Sequence, residues 1–545
     1  MTLPASDADA RFERAIDRWF RDRLRLEPTL ASFVGVHEHD DRLPGASREA
    51  IDERVDFWRA VLTEMDRFVV DDLTPTHALD RDLLVHEARL ELHELTERRT
   101  WAGRSNAAEE IGDALFPLFT RDYAPLPDRL ERIADRLEAA PRLLGETKSR
   151  LTDPVKLWVQ IDLESGAALP SFLDVILAAA RSEHCPDPLV SRLEAAVTGT
   201  RQALEEHATW LRNEVLPQAT TEWRAGPEQF EEIVRLRELT ASGDEILAVG
   251  EQILAEERAA RASTSTELDP TLSPEEIADL VKNDHPASFG DALEEYRHSM
   301  AAARRFVIDH DLATMPADDT LVVIETPSYL RHLIPFAAYY DPPRFDPRPT
   351  GTYIVTPPAT PEMMREHSYA SISNTSVHEA YPGHHLQLSA ARTNPSLVRL
   401  ILFSAAEFTE GWAFYCERTM KEQGFDDTPK HRYIQHTDAI WRATRIVLDV
   451  KLHRGEIGFE DAIEYLVAQT GFERPAALAE VKRYTSTPSY QLSYLFGRHL
   501  IDRLKADVER AQGPAFSMKA FHDTLIYGGS MPVSYARRLF AGLDS

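Results

Sequence analysis

The chain has 545 residues, 43% apolar and 28% charged, which is enough for a large soluble core in two or more lobes. A formal net charge of -29 repels nucleic-acid phosphates and anionic lipid, so neither nucleic acid nor membrane is an expected partner. Two cysteines, Cys185 and Cys416, exclude a disulfide framework and point to a reducing cytoplasm. The opening Met1–Asp7 has no signal-peptide pattern, and no apolar run reaches the ~18 residues of a membrane helix.

The first half reads as helices. Phe12, Ala15, Ile16, Trp19, Phe20 and Leu24 recur every three or four residues as one buried stripe, which Glu27-Pro28 ends. Gly35-Val36-His37-Glu38-His39-Asp40-Asp41 follows as a polar loop with metal-ligand residue types but no single-face spacing, so it reads as solvated. His86-Glu87 and His93-Glu94 fall on a charged helix from about residue 73 to 99, seven residues apart and without a chain breaker, and also read as a solvated face. Helical patterns continue through 127–137, 142–150, 168–181, 188–215, 227–238 and 243–261. Ser273-Pro274-Glu275-Glu276 is a helix start with cap, proline and capping glutamate in place. These signals divide the chain into an N-terminal helical lobe, 1–270, and a second lobe, 271–545.

The composition changes at Thr320 to Pro327 and again at Gly351 to Thr356, two β-branched runs bounded by prolines that read as short strands. Proline on both sides points to an edge strand, which an extended peptide could join. Tyr353 on the second run is therefore a candidate substrate contact.

The chemistry concentrates in Ser376-Val377-His378-Glu379-Ala380-Tyr381-Pro382-Gly383-His384-His385 and in Glu410-Gly411-Trp412-Ala413. Imidazoles and a carboxylate at these separations suggest one zinc ion with a built-in general base. On an unbroken helix His384 lies ~120° around from His378, and His385 shares its face but sits ~10 Å along the axis, so neither shares an ion with it. Pro382 breaks the helix and Gly383 permits unusual dihedrals, so a kink can return a later histidine to the metal. His384 is the preferred ligand and His385 the alternative.

Glu410 follows a largely apolar stretch, 397–408, where an unpaired carboxylate costs several kcal/mol. That makes it the third ligand, with Glu407 and Glu417 as possible outer supports. Three protein ligands leave one position for water, the pattern of a catalytic site. Glu379, beside a ligand, is the candidate base. The developing oxyanion needs a donor, and His385 and Tyr494 are candidates. Tyr490 and Arg498 share the four-residue spacing of Tyr494 and are candidate substrate contacts, although they also read as core aromatics and a surface arginine. Arg442, Arg445, Asp449 and His453 read as an ion-pair ladder.

His378-Glu379-Ala380-Tyr381-Pro382-Gly383-His384, Glu410-Gly411-Trp412-Ala413 and Tyr494-Leu495-Phe496-Gly497 resemble the bacterial domain-of-unknown-function 885 family. Gly35 to Asp40 and Phe521-His522-Asp523 extend the resemblance over nearly the whole chain. That family is similar to mainly helical zinc metallopeptidases with a glutamate as third ligand. The resemblance implies a large multi-helix, zincin-like fold with a small β element near the active-site helix. It also implies His378, His384 and Glu410 as ligands, Glu379 as base, and peptide or amide hydrolysis. Two rivals stand beside the metallopeptidase reading: an amidase acting on a non-peptide substrate, and a catalytically inactive helical protein that binds peptides.

Overall fold

A computed structural model describes residues 7–326, 331, 334, 336–346, 349–402 and 405–540. Residues 1–6, Pro327 and part of the 397–408 segment discussed above lie outside them. The chain is mainly α-helical with one small sheet. It forms two compact units, Met1–Trp223 with Pro343–Arg348, and Arg224–Pro342 with Pro349–Ser545. The division falls at Trp223, not near residue 270. The reason is α1 (Gly243–Leu268), which packs along the long helix Pro429–His453 of the second unit.

Within the first unit the stripe of Asp7–Leu26 buries Phe12, Ala15, Ile16, Trp19 and Leu24 as its period requires. A loop and a helix face expected to be solvated are each partly buried. His37–His39 form a short turn, and Asp40 is buried, accepting hydrogen bonds from Ser32, His37 and Tyr123. His86 is also buried, because helix Pro75–His93 packs on more than one side. Burial and the neighbouring Glu91 push the Glu87 carboxyl well above its ordinary pKa. Among the described residues one helix, Lys156–Ser182, is long and apolar enough to cross a bilayer, contrary to the sequence expectation. It buries Trp158, Val159, Phe172, Leu173 and Ile176 inside this unit and carries Asp162, Glu164 and Asp174, so it packs as a core helix.

The second unit carries the motif residues. The expected capping box at Ser273 is formed with Glu276. After α2 (Phe289–Asp309) come β1 (Leu321–Glu325), β2 (Ala337–Tyr340) and β3 (Gly351–Val355) in the order β1-β3-β2, with β1 parallel and β2 antiparallel to β3. The 351–356 run, expected at an edge, is therefore the central strand. Pro349, Pro357 and Pro358 stand outside the ladder and remove none of its donors. β2 escaped sequence reading because Ala-Ala-Tyr-Tyr has neither β-branched residues nor alternation.

Register places Val323, Tyr353 and Tyr339 side by side on one face. That face turns toward α2 and α3 (Tyr369–Glu379): Tyr353 packs on Tyr296 at 5.6 Å between ring centres, and Glu379 acts electrostatically on Tyr339 and Tyr353. α4 (His384–Ala391), α5 (Ala406–Glu422), α6 (Pro429–His453) and α7 (Leu495–Gln512) complete the surroundings of the motif.

Candidate metal centre

α3 ends one residue after His378. The chain leaves helical geometry at Ala380 (φ -113°, ψ -85°), passes a cis Tyr381–Pro382 bond, and re-enters a helix at His384. Gly383 is required there: a Cβ would lie 1.9 Å from the His378 carbonyl oxygen and 2.3 Å from that of Val377. Trp412 Nε1 donates to Pro382 O (2.8 Å), and the Tyr381 hydroxyl donates to Asp319 O (3.1 Å), so the turn is held from both sides. The outcome is that the His378 and His384 rings meet edge to face, 4.7 Å between centres.

Glu410 arrives on α5. Beside it, a Cβ on Gly411 would fall 2.4 Å from the Gly497 carbonyl carbon, and one on Gly497 would fall 2.0 Å from Glu407 O. α5 and α7 thus cross backbone against backbone, which only paired glycines permit. Glu410 Oε2 lies 3.5 Å from His384 Nε2 and 3.9 Å from His378 Nε2. One donor atom from each residue falls within 4.8 Å of the other two. Donors about 2.0–2.1 Å from a shared tetrahedral zinc are about 3.3 Å apart, so small side-chain adjustments let the set fit the ion.

The surroundings are strongly polarised. Glu417, also on α5, places Oε1 2.7 Å from His378 Nδ1, and its Oε2 accepts from Asn374 Nδ2 at 2.9 Å. Asn374 Nδ2 also reaches Asp438 Oδ2 at 3.0 Å. Burial works against a charged His378, but the hydrogen bond and charge of Glu417, then Glu379 and Glu410, raise its pKa to about 9. Burial disfavours ionised Glu410, yet His384, His378 and Arg442 bring it down to about 2. Burial, with the charge of Glu417, raises Asp438 to about 6. His384 has no comparable support: its Nδ1 is buried without a hydrogen-bond partner among the described residues.

The structure sorts the remaining sequence candidates. Glu379 adjoins the phenols of Tyr296, Tyr339 and Tyr353, whose pKa values are raised by burial first and by its charge as well. His385 points away from the triad. Nε2 is 3.1 Å from Asp319 O and Nδ1 is 2.9 Å from the Tyr339 hydroxyl. A carbonyl can only accept, so Nε2 carries the proton and Tyr339 donates to Nδ1, leaving His385 neither a ligand nor an oxyanion donor. Its ring occupies the space left by Gly351, where a Cβ would lie 2.4 Å from Nδ1.

Tyr353 is buried, 1% exposed, so it backs Glu379 instead of meeting substrate. Tyr490, Tyr494 and Arg498 do not share one helix face, because Tyr490–Ser493 is a tight turn and α7 begins at Leu495. Tyr490 and Tyr494 still meet at 6.2 Å between ring centres, with Tyr494 6.1 Å from Phe414, whose ring packs on His378 at 5.1 Å. Arg498 is buried in an ion pair with Glu257 and Glu407 in one with Arg237, so neither supports the triad. In the expected ladder, Arg442 pairs with Asp438 at 3.7 Å, Arg445 pairs with Glu480, and His453 lies 3.7 Å from Asp449. Sequence reasoning missed Asn374 and Asp438. Only the four-residue spacing of Asn374 and His378 along α3 hinted at the former.

Two solved structures share the architecture. A protein from Shewanella oneidensis described as a candidate lipoprotein of unknown function is 22% identical, with a TM-score of 0.81 over 97% of this chain and 99% of that one. A candidate lipoprotein from Colwellia psychrerythraea is 18% identical, with a TM-score of 0.84 over 98% of each chain. Identities this low establish the fold alone. No curated protein matches the chain. Residues 28–539, which include the kinked histidine motif, Glu410 and the Gly411–Gly497 crossing, match the model of one family, and the chain belongs to it: the bacterial proteins of unknown function grouped as DUF885.

Proposed function

We propose that the protein is a zinc-dependent, zincin-like hydrolase that cleaves peptides. The observation carrying this reading is the convergence of His378, His384 and Glu410 with the Glu417 carboxylate seated behind His378. A carboxylate on the far nitrogen of a ligating imidazole fixes its tautomer and strengthens it as a donor. The three side chains keep 11–19% of their surface exposed, which favours a site open to water over a sealed structural one. A zinc ion in this donor set supplies Lewis acidity. Glu379, one residue from a ligand and outside the donor set, takes the proton of the attacking water at its carboxylate and returns it to the departing amine. The aligned phenols of Tyr339 and Tyr353 exclude water behind it, and the Tyr494 hydroxyl, at the rim beside Phe414, donates to the developing oxyanion.

Free Cys185 and Cys416 favour a reducing compartment, whereas the description of the two structural neighbours as lipoproteins favours the cell envelope; fractionation separates these. The test of function is zinc analysis with peptide hydrolysis. Glu379→Gln is expected to keep about one zinc and lose 10²–10⁴-fold in rate, and His378→Ala to lose both. Wild-type protein without stoichiometric zinc, or hydrolysis indifferent to chelator, would refute the proposal. Cleavage confined to non-peptide amides would move it to the amidase class.

A further inference from the structure

Arg442 stands beside the triad, ion-paired at a distance with Asp438 but with no hydrogen bond from its donors among the described residues. Its charge is among those holding Glu410 ionised. Its guanidinium carbon is 5.0 Å from the Phe414 ring centre and 6.0 Å from that of Tyr494. Yet it makes no hydrogen bond among the described residues. Its acidic neighbour Asp438 is 3.7 Å away, beyond hydrogen-bond reach, and Nε is buried without a partner. Asp438 instead accepts from Asn374.

The contrast with Arg445, one turn further along α6, is direct. Arg445 Nε donates to the Tyr484 hydroxyl at 3.1 Å and Nη2 to Glu480 at 2.8 Å. Both arginines stack on Trp441, Arg442 at 3.8 Å and Arg445 at 4.1 Å. The indole fixes the plane of Arg442, whose side chain keeps 16% of its surface exposed. A guanidinium fork oriented in this way matches a carboxylate bidentately, and a buried one without acceptors is costly to maintain. Elsewhere the site is acidic: Glu379, Glu410, Glu417 and Asp438 would each repel an anionic group. A substrate carboxylate therefore has one favourable place to go.

Resting on the metallopeptidase reading, we propose that Arg442 receives the free C-terminal carboxylate of a short peptide, so that the site cleaves near the carboxyl end. Two steps of about 5 Å, Arg442 to Phe414 and Phe414 to His378, separate the guanidinium from the triad. At about 3.3 Å per extended residue the scissile amide then lies no more than three residues from the carboxylate. Hydrolysis adds one water across that amide and releases a short C-terminal fragment.

The test uses zinc-loaded full-length protein and two peptides identical except for a free or amidated C-terminus, with products followed by mass spectrometry. Amidation is expected to lower kcat/KM at least 100-fold. Arg442→Gln should lower it by a similar factor for the free acid and bring the acid-to-amide ratio of kcat/KM close to one, and Arg442→Lys should recover part of that ratio. Zinc-loaded Glu379→Gln titrated calorimetrically should bind the free acid at least 30-fold more tightly than the amide. Zinc-dependent cleavage of acid and amide at equal rates would overturn the role of Arg442 and leave the metallopeptidase reading intact. Zinc-dependent cleavage of neither would overturn both.

Discussion

Replacing Glu417 by glutamine separates two effects that the geometry sets against each other. Glu417 Oε1 lies 2.7 Å from His378 Nδ1, and this contact is the main reason, against burial, that the His378 pKa stands near 9. A raised histidine pKa means that without metal at pH 7 the ring is protonated, and zinc must displace that proton before Nε2 can bind. Two pH units below the pKa, the displacement weakens apparent affinity about 100-fold, or about 2.7 kcal/mol. Once the proton is gone, the same carboxylate strengthens the imidazole as a ligand, and removing such a support typically costs 10–100-fold in metal affinity.

Glutamine keeps the shape and loses the charge, so the His378 pKa falls toward the ordinary histidine value and proton competition weakens. The two changes offset each other near pH 7, where Glu417→Gln is expected to bind zinc within a few-fold of wild type. By pH 9 proton competition has largely gone from both proteins, and the variant should be 10–100-fold weaker. Wild-type affinity itself should climb about tenfold per pH unit up to about 9 and then level. Competition against a chromophoric chelator at five or six pH values reads this directly. A ratio of the two dissociation constants that stays flat from pH 7 to 9 would refute the reasoning, as would a wild-type affinity indifferent to pH.

Gly497→Ala drives a Cβ to about 2.0 Å from Glu407 O, a backbone atom with little freedom to yield. The α5–α7 crossing must open, with an expected loss of about 3 kcal/mol in urea denaturation and a drop in zinc content as Glu410 shifts; a wild-type midpoint with full zinc would contradict this. His522 is buried between the Tyr415 hydroxyl and Leu312 O, and burial depresses its pKa to about 4. A depressed histidine pKa contributes stability that is complete above the ordinary value of about 6.5 and lost as pH falls toward 4, up to about 3 kcal/mol. His522→Gln should therefore be less stable than wild type at pH 7 but show a flatter decline below pH 6.5; parallel curves would remove His522 as a cause.

The helices and the meeting of His378, His384 and Glu410 were legible because both depend on short-range rules. A 3.6-residue stripe predicts which face of Asp7–Leu26 is buried, whatever it packs against. Pro382-Gly383 announces a break, and only the break reconciles His378 with His384. Glu410 stood out because a carboxylate on an apolar helix needs a reason. What failed depended on partners far away in sequence. His86 looked solvated on its own helix and is buried by neighbours, and Arg498 looked substrate-facing until Glu257 claimed it. Spacing favoured His384 over His385 without excluding the latter, since a kink of unspecified geometry serves either.

The structure places His384 in the triad and turns His385 away from it: Asp319 and Tyr339 hold both nitrogens of His385, and Gly351, by its missing side chain, gives the ring its place. Three features of the motif thus do different work. Gly383 permits the return of the chain, Trp412 clamps the turn through Pro382 O, and Gly411 lets α7 close against α5 so that Glu410 is presented at the right depth. The proposed ligands are few, but positioning them draws on residues from the sheet, α3, α5 and α7 together. A substitution at Gly351 should therefore disturb the centre through His385 although neither residue touches the triad, and that coupling distinguishes a packed metal site from three ligand side chains brought together by chance.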